Sequence, residues 1–185
     1  MSKVKTTPFV SPVGTLRYPR ITEADTGGQY SDGKYKTQLL VPKKEAQAFI
    51  KQLQDVAKTE LKGVKSPQMP FKVDKEDEDT IVFVAKSKFQ PLVFDGKGKQ
   101  VKKITERVAG GTTARIAGGI FPYNEKGLSL QFKQVQILSL VTGAQSMFDA
   151  MEGEFDASEF DKSDEETTFA GGSSEEDTAA DGPDI

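Results

Sequence analysis

The chain has 185 residues, with 25 Lys and Arg, 28 Asp and Glu, and a net charge of −3. It contains no cysteine and no histidine, which excludes disulfides, Cys/His zinc sites, thiol nucleophiles and every catalytic unit that depends on histidine. The length predicts one domain, or one domain plus an extension.

The N-terminal segment runs from Met1 to Pro8 without the apolar core of a secretory signal. No apolar run in the chain approaches the ~18 residues that are needed to span a bilayer. The absence of disulfides fits a reducing compartment. These features predict a soluble protein of the cytoplasm.

The first half of the chain predicts two strands and a long helix. The loosely alternating stretch Val13–Ile21 is typical of a strand, and Lys34–Val41 alternates polar and apolar residues in the same way. Pro42 ends the second strand and favours a helix start. Apolar residues spaced by three and four positions predict a helix over Lys43–Lys62, and Gly63 is a natural stop signal.

The second half predicts further strands. A polar loop, Ser66–Asp79, precedes the strongest strand signal, Thr80–Phe94. Two more strands are predicted at Val101–Val108 and Thr112–Tyr123. The short turn Asn124–Gly127 then predicts a hairpin with the last strand.

The last predicted strand, Leu128–Val141, changes the parity of its apolar residues between Phe132 and Val135. Such a change in mid-strand is what a β-bulge produces. Bulges and the interior glycines Gly118 and Gly119 allow a sheet to curl into a barrel. Five or six strands and one long helix predict a mainly β fold, an OB-fold-like barrel.

The charges divide the chain into a basic body and an acidic tail. Residues 1–140 hold 24 Lys and Arg against 14 Asp and Glu, whereas residues 141–185 hold one basic residue against 14 acidic ones. We therefore predict a folded domain over 1–141 and a largely disordered tail over 142–185. A basic body suits a polyanion such as nucleic acid, and an acidic tail can compete with that polyanion. The alternative is a tail that only aids solubility.

Bulky apolar residues interrupt the acidic tail, a pattern typical of docking segments. Met147, Phe148, Met151 and Phe155 would share one face of a transient helix. The alternative is a tail that packs back onto the body. The candidate partner-docking residues are Phe148, Phe155, Phe160, Phe169 and Ile185.

Catalytic motifs are absent from the sequence, which has no P-loop, no dinucleotide fingerprint and no nucleophile elbow. The acidic run Glu76–Asp79 lacks calcium-loop spacing. Carboxylates for a two-metal nuclease exist at Asp74, Asp95, Glu106 and Glu125, but a single sequence does not show that they converge. We predict no enzyme, no cofactor and no metal.

Nucleic-acid binding is favoured because basic and aromatic residues interleave along the body, as binding of a single strand requires. The candidate contacts to the DNA backbone are Arg17, Arg20, Lys34, Lys36, Lys86, Lys88, Lys97, Lys99, Lys102, Lys103, Arg107 and Arg115. The candidate stacking residues are Tyr18, Tyr35, Phe89, Phe94, Phe121 and Tyr123.

Each aromatic candidate has a role in the core as its alternative. Tyr35 and Phe89 share parity with apolar neighbours, so the core is at least as good an assignment for both. Tyr18, Phe121 and Tyr123 are evenly balanced between the two roles. Phe94 lies at a strand end beside a basic turn, which favours contact with the ligand.

Two segments resemble single-stranded DNA-binding proteins of tailed, especially short-tailed, bacteriophages. One is Gly33–Pro42 (GKYKTQLLVP) followed by a helix, and the other is Gly118–Leu138 (GGIFPYNEKGLSLQFKQVQIL). The acidic C-terminal tail fits the same family. The resemblance covers most of the chain in order and type.

The resemblance implies an OB-fold protein that coats single-stranded DNA during phage replication, recombination and repair, in the cytoplasm of an infected bacterium. It implies a tail that contacts the phage DNA polymerase and helicase-primase and also occludes the DNA groove. Such tails commonly end in an aromatic residue, whereas this sequence ends in Ile185. Tail-mediated dimerisation is seen in some relatives, so a homodimer is one expectation.

Two other functions stay open at the level of sequence. One is a protein-interaction module that acts through its acidic tail. The other is a metal-dependent nuclease.

Overall fold

The computed structural model describes residues 6–104 and 106–142. Within that part of the chain there are one helix and eight strands. They are β1 (Thr7–Val10), β2 (Gly14–Arg20), β3 (Tyr35–Pro42), α1 (Lys43–Glu60), β4 (Phe71–Val73), β5 (Thr80–Ser87), β6 (Leu92–Phe94), β7 (Thr113–Tyr123) and β8 (Gly127–Ser139).

Five of the strands close into a barrel. Strand β2 pairs with β3, β3 with β5, β8 with β7 and β7 with β2, all antiparallel, whereas β5 and β8 are parallel. Strands β1, β4 and β6 extend this sheet from β7, β5 and β8. The first barrel strand thus lies between the second and the fourth, and the third lies beside the fifth. This order and the one parallel pair among the five barrel strands confirm the predicted OB-fold-like barrel.

The core follows from the two periodicities of the sequence. On β3, Leu39 and Val41 are buried because alternate side chains of a strand point to the same face. On α1, the apolar stripe includes Phe49 and Leu53, both buried. The Phe49 ring lies 4.8 Å from the Phe83 ring, centroid to centroid, so the helix packs on the barrel interior.

The bulge predicted from the parity change lies at Lys133. Ala117 pairs with Gln134 and Gly118 pairs with Phe132, which leaves Lys133 without a partner on β7. The extra residue lets Phe132 and Val135 both point into the core.

Two predicted strands differ from the structure. The stretch Thr80–Phe94 is divided into β5 and β6, because Pro91 has no N–H for a ladder and the backbone N–H of Phe89 donates to Ser87 Oγ at 3.1 Å. Val101–Val108 contains no strand among its described residues. The consecutive lysines of this stretch do not alternate with core residues. Only isolated bridges occur here: Val108 bridges Thr142, and Gln100, just before the stretch, bridges Phe94.

Apart from Thr142, the predicted tail over 142–185 lies outside the described residues. The predicted docking residues in it therefore stay predictions. They are Phe148, Phe155, Phe160, Phe169 and Ile185. The one helix of the described residues is not apolar enough to cross a membrane.

Gly118 provides a test of the bulge. A Cβ at this position would lie 1.9 Å from the carbonyl oxygen of Gln131, so the backbone of β7 or β8 would have to move. We expect Gly118→Ala to lower the free energy of unfolding by about 1–3 kcal/mol, the usual range for overpacking. Urea denaturation measures this change.

Gly96→Ala is the matched control, because the nearest atom to its new Cβ is 3.8 Å away. We expect the control to change the free energy of unfolding by less than about 0.5 kcal/mol. Equal effects of the two substitutions would show that the close approach at Gly118 is not a constraint on the fold.

Candidate nucleic-acid interface

Three cations lie side by side on the outer face of the barrel. Arg20 on β2 is the Cα partner of Lys36 on β3, and Lys36 is the partner of Lys86 on β5. We call Arg20, Lys36 and Lys86 the cation row. Like charges directly opposite each other on neighbouring strands repel. The row therefore requires anions beside it.

The loop between β2 and β3, residues 21–34, supplies two carboxylates to the row. Asp25 forms an ion pair with Lys36 and lies 3.9 Å from Nε of Arg20. Asp32 lies 3.6 Å from Nζ of Lys36 and 3.7 Å from Nζ of Lys86. Two negative charges thus face three positive ones, and the row keeps a net positive charge.

These contacts favour the charged forms of Lys36 and Asp32. The hydrogen bond with Asp25 raises the pKa of Lys36, and burial opposes this effect only in part. For Asp32, burial raises the pKa. A hydrogen bond from the backbone N–H of Lys34 and the charges of Lys36 and Lys86 together outweigh burial, so the pKa of Asp32 lies below its ordinary value. At neutral pH Lys36 and Asp32 are therefore ionised.

Arg17, next to the row on β2, is held by a different carboxylate. Its Nη2 lies 2.9 Å from Oδ1 of Asp74, its Nη1 donates to Oδ2 at 3.2 Å, and its Nε donates to Gln38 at 3.0 Å. A bidentate pair of this kind fixes the guanidinium in place. Arg17 therefore ties β2 to the loop between β4 and β5.

Tyr18 projects from the barrel beside Arg17. Its side chain is 74% exposed, and its φ of 50° lies in the left-handed region that residues other than glycine seldom adopt. The β2–β3 register shifts between Arg17 and Arg20, so Tyr18 lies at an irregularity of the strand. The guanidinium carbon of Arg17 is 5.9 Å from the centre of the Tyr18 ring, within the range of a cation–π contact.

A surface cavity of about 520 Å³ lies against Tyr18. Its lining includes Arg17, Arg20, Leu40 and Arg107. An aromatic residue, aliphatic residues and three arginines thus line a space of this size. The cavity can hold a flat base with its phosphate near the arginines.

Tyr30 is an exposed aromatic residue that was not among the sequence candidates. It lies in the 21–34 loop, 89% exposed, between the two residues that pair with the cation row, Asp25 and Asp32. Its neighbours in sequence are glycine, glutamine, serine and aspartate. The lack of any apolar neighbour for packing is the signal that could have identified it.

The remaining stacking candidates lie in different environments. Phe89 follows β5 and is 75% exposed, whereas Tyr35 is half-buried and packs against the core. Phe121 is half-buried on β7. The hydroxyl of Tyr123 donates to Oε1 of Gln68 at 2.6 Å.

A second basic cluster lies on β7, β8 and the turn after β6. Arg115 donates from Nε to Gln136 at 2.6 Å and lines a cavity of about 310 Å³ with Phe94 and Gly98. The side chain of Asp95 accepts the backbone N–H groups of Lys97 and Lys99 at 2.9 and 2.8 Å, which orders this turn.

The structure therefore groups the predicted cations unevenly. The first group lies on or near β2, β3 and β5 and consists of Arg17, Arg20, Lys34, Lys36, Lys86 and Lys88. Arg107 belongs to the same group because it lines the cavity beside Tyr18. Residues of the second group are Lys97, Lys99 and Arg115. Lys102 and Lys103 are exposed in the irregular segment after β6.

Two of the four carboxylates considered for a metal site are engaged in other contacts. Asp74 pairs with Arg17, and Asp95 orders the basic turn. Among residues 6–104 and 106–142 there is no group of three or more acidic side chains that could hold a metal ion.

Solved structures with the same architecture come from bacteriophages. The crystal structure of gp2.5, a single-stranded DNA-binding protein encoded by bacteriophage T7, is 21% identical with a TM-score of 0.63, over 83% of this chain and 100% of that one. The single-stranded DNA-binding protein of bacteriophage Enc34 is 19% identical with a TM-score of 0.59, over 83% of this chain and 89% of that one. The structure of the Enc34 protein in complex with single-stranded DNA is 17% identical with a TM-score of 0.57, over 76% of this chain and 89% of that one.

The barrel has the fold of these phage proteins. No family model matches the chain, and no curated protein matches its sequence. At this level of identity the shared property is the fold, and the function rests on the chain's own residues.

The Arg17–Asp74 pair predicts how stability depends on pH. Hydrogen bonds from Arg17 lower the pKa of Asp74 in the folded state, and burial opposes this only in part. A lowered carboxyl pKa stabilises the fold above the unfolded-state value, and this stabilisation is lost as the pH falls through the folded-state value. We expect Asp74→Asn to be less stable than the wild type at pH 7, and the difference to shrink as the pH falls from about 5 to about 2.

Urea denaturation at a series of pH values measures this difference. Glu78→Gln removes a negative charge from an exposed position of the same loop and serves as the control. A difference between wild type and Asp74→Asn that is equal at pH 7 and at the acidic end would contradict the expectation.

Proposed function

We propose that this protein binds single-stranded DNA without strong sequence preference. The observation that carries the proposal is the cation row, which crosses three neighbouring barrel strands. Two exposed tyrosines accompany the row: Tyr18 precedes Arg20 in the sequence, and Tyr30 follows it. Cationic side chains bind the phosphates, and aromatic rings stack on the bases, whose π-faces are common to all four.

The position of the row in the barrel supports this function. OB-fold barrels bind oligonucleotides on their second and third strands and with the loops that join the first to the second and the fourth to the fifth. In this chain the second and third barrel strands are β3 and β5, and the first of those loops is the 21–34 loop. Lys36, Lys86, Asp25, Tyr30 and Asp32 all lie on these elements.

The names of the solved structures give independent support. The proteins from bacteriophages T7 and Enc34 are both described as single-stranded DNA-binding proteins, and one of the Enc34 structures contains single-stranded DNA. We carry this ligand class over to the present chain because its own surface fits it. The role that follows is coating of single strands during phage replication, recombination and repair, without catalysis.

The acidic tail, residues 142–185, is the second part of the proposal. It competes with DNA for the cation row and serves as the docking segment for a replicative DNA polymerase and a helicase-primase. An unfolded chain of ~43 residues spans roughly 35–40 Å, whereas a body of ~140 residues has a radius of gyration near 14 Å. Tethering gives an effective concentration on the order of millimolar. A weak tail contact is then enough to tune DNA binding.

Substitutions in the two kinds of contact should have different signatures. Lys86→Ala removes a phosphate contact, so we expect weaker binding of oligo-dT and a salt slope that is smaller by about 1. Tyr18→Ala removes stacking, which is worth about 1–3 kcal/mol per base, and should leave the salt slope unchanged. Fluorescence anisotropy with labelled oligo-dT at several salt concentrations measures both quantities.

Lys58→Ala is the control for the charge change. Lys58 lies on α1, is exposed, and has only a distant contact of 4.0 Å with Asp55. We expect its affinity to stay within about twofold of the wild type. If Lys58→Ala weakens the binding of oligo-dT as much as Lys86→Ala does, the protein does not use the cation row as proposed.

Truncation tests the tail. The cut belongs after Thr142, because the backbone of Val141 still bonds to the body: its C=O accepts from Ala109 N–H at 2.8 Å, and its N–H donates to Thr112 Oγ1 at 3.0 Å. We expect the truncated chain to bind oligo-dT more tightly than the full chain at low salt, with a smaller difference at high salt. Equal affinities at low salt would remove the tail from the mechanism.

The same titrations with magnesium present test the nuclease alternative through the integrity of the DNA. Cleavage that disappears on Asp95→Asn would favour an enzyme over a coating protein. Absence of any DNA binding, even after truncation, would favour a protein-interaction module.

A further inference from the structure

Each cation of the row already contacts a carboxylate of its own chain. Lys36 contacts both Asp25 and Asp32, Arg20 contacts Asp25, and Lys86 contacts Asp32. Both carboxylates come from the 21–34 loop. A carboxylate and a phosphate present the same feature to an ammonium or guanidinium group, namely anionic oxygens that accept charge-assisted hydrogen bonds.

We propose that Asp25 and Asp32 are a built-in competitor of DNA, which pairs with the cations of the row in the free protein and competes for them with the phosphates of DNA. This inference rests on the proposed single-stranded DNA binding and specifies how that site is regulated. The competitor is separate from the acidic tail, because it belongs to the folded body and lies between two strands of the barrel.

Backbone hydrogen bonds determine how the competitor gives way. The N–H of Asp25 donates to the C=O of Lys34 at 3.0 Å, and the N–H of Gly33 donates to the C=O of Asp25 at 2.9 Å. The carboxylate of Asp32 also accepts the N–H of Lys34 at 3.2 Å. These bonds hold the base of the loop in place. The lysine and arginine side chains therefore turn from the carboxylates to the phosphates, while the loop backbone stays where it is.

This exchange makes each single phosphate contact weak. An incoming phosphate replaces an existing ion pair instead of pairing with a free cation, and it approaches two carboxylates that remain nearby. Net binding then requires several phosphates together with stacked bases. The competitor therefore favours an extended strand over an isolated phosphate group.

Neutral isosteres of the two carboxylates test the competitor. In the double variant Asp25→Asn/Asp32→Asn we expect oligo-dT to bind roughly tenfold more tightly at low salt, because the phosphates no longer compete with the loop. The gain should shrink as salt rises, which makes the slope of log affinity against log salt steeper than in the wild type. The titrations use both the full chain and the chain cut after Thr142.

The matched control is the double variant Glu45→Gln/Asp55→Asn. Both residues are exposed on α1, and the change in net charge is the same. We expect the control to gain less than about twofold. A gain equal to that of the Asp25/Asp32 variant would reduce the effect to net charge and overturn the proposal, as would a weaker affinity of the Asp25/Asp32 variant.

A double-mutant cycle with Lys36 locates the effect. If Asp25 acts through Lys36, the gain from Asp25→Asn should be smaller in a Lys36→Gln background. Repulsion within the row should lower the unfolding temperature of the double variant Asp25→Asn/Asp32→Asn. If that variant folds poorly, the cycle and the milder single variant Asp32→Asn still test the proposal. A gain that is unchanged in the Lys36→Gln background would overturn the proposal.

The outcome also separates this inference from the proposed function. If the wild type binds oligo-dT and the variants show no gain in affinity, in the full chain or in the chain cut after Thr142, only the competitor proposal is overturned. A wild type and variants that all fail to bind, with or without the tail, overturn both.

Discussion

The register of β2, β3 and β5 is the constraint on which the rest depends. It is fixed from inside, because Leu39 pairs with Leu16 and Phe83 and all three are buried. A slip of one residue would turn these side chains to solvent. The same register of β3 and β5 places Lys36 beside Lys86 on the opposite face, and the register shift between Arg17 and Arg20 brings Arg20 beside Lys36. The core and the Lys36–Lys86 pair are therefore two consequences of one alternation, and Arg20 joins them through the irregularity of β2.

A row of like charges is unfavourable for a free protein and favourable for a polyanion ligand. The 21–34 loop reconciles these demands, since its carboxylates neutralise most of the row without burying it. Surface ion pairs of this kind are individually weak. Weak pairs suit the proposed exchange, because a bidentate, partly buried pair such as Arg17 with Asp74 holds its cation more firmly. The two arrangements on β2 thus differ: Arg17 fixes the strand, and Arg20 has only a distant contact with Asp25.

The sequence predicted those features that depend on periodicity. The helix stripe, the long strands β7 and β8 and the bulge near Lys133 all appear as regular spacings of apolar residues. It did not predict β1 and β4, which are edge strands of four and three residues and too short to show a period. The candidate site was predicted as an excess of lysine and arginine, but not the pairing of those cations. Asp25 and Lys36 are separated in sequence, and the backbone bonds of Asp25 with Lys34 and Gly33 fold the loop back onto β3.

Because the chain has no tryptophan, the base stacking of the proposed function falls to tyrosine and phenylalanine. Tyr18 and Tyr30 are exposed because each lies where the regular pattern is interrupted, Tyr18 at the register shift of β2 and Tyr30 in the 21–34 loop. At both places the backbone does not direct the ring into the core. Phosphate contacts weaken with salt, whereas stacking does not depend on charge. Under the proposed function, a surface that combines the cation row with two such rings retains part of its affinity for single strands at salt concentrations that suppress the row. That residual affinity would be independent of base identity, which is the property that a protein coating any single strand requires.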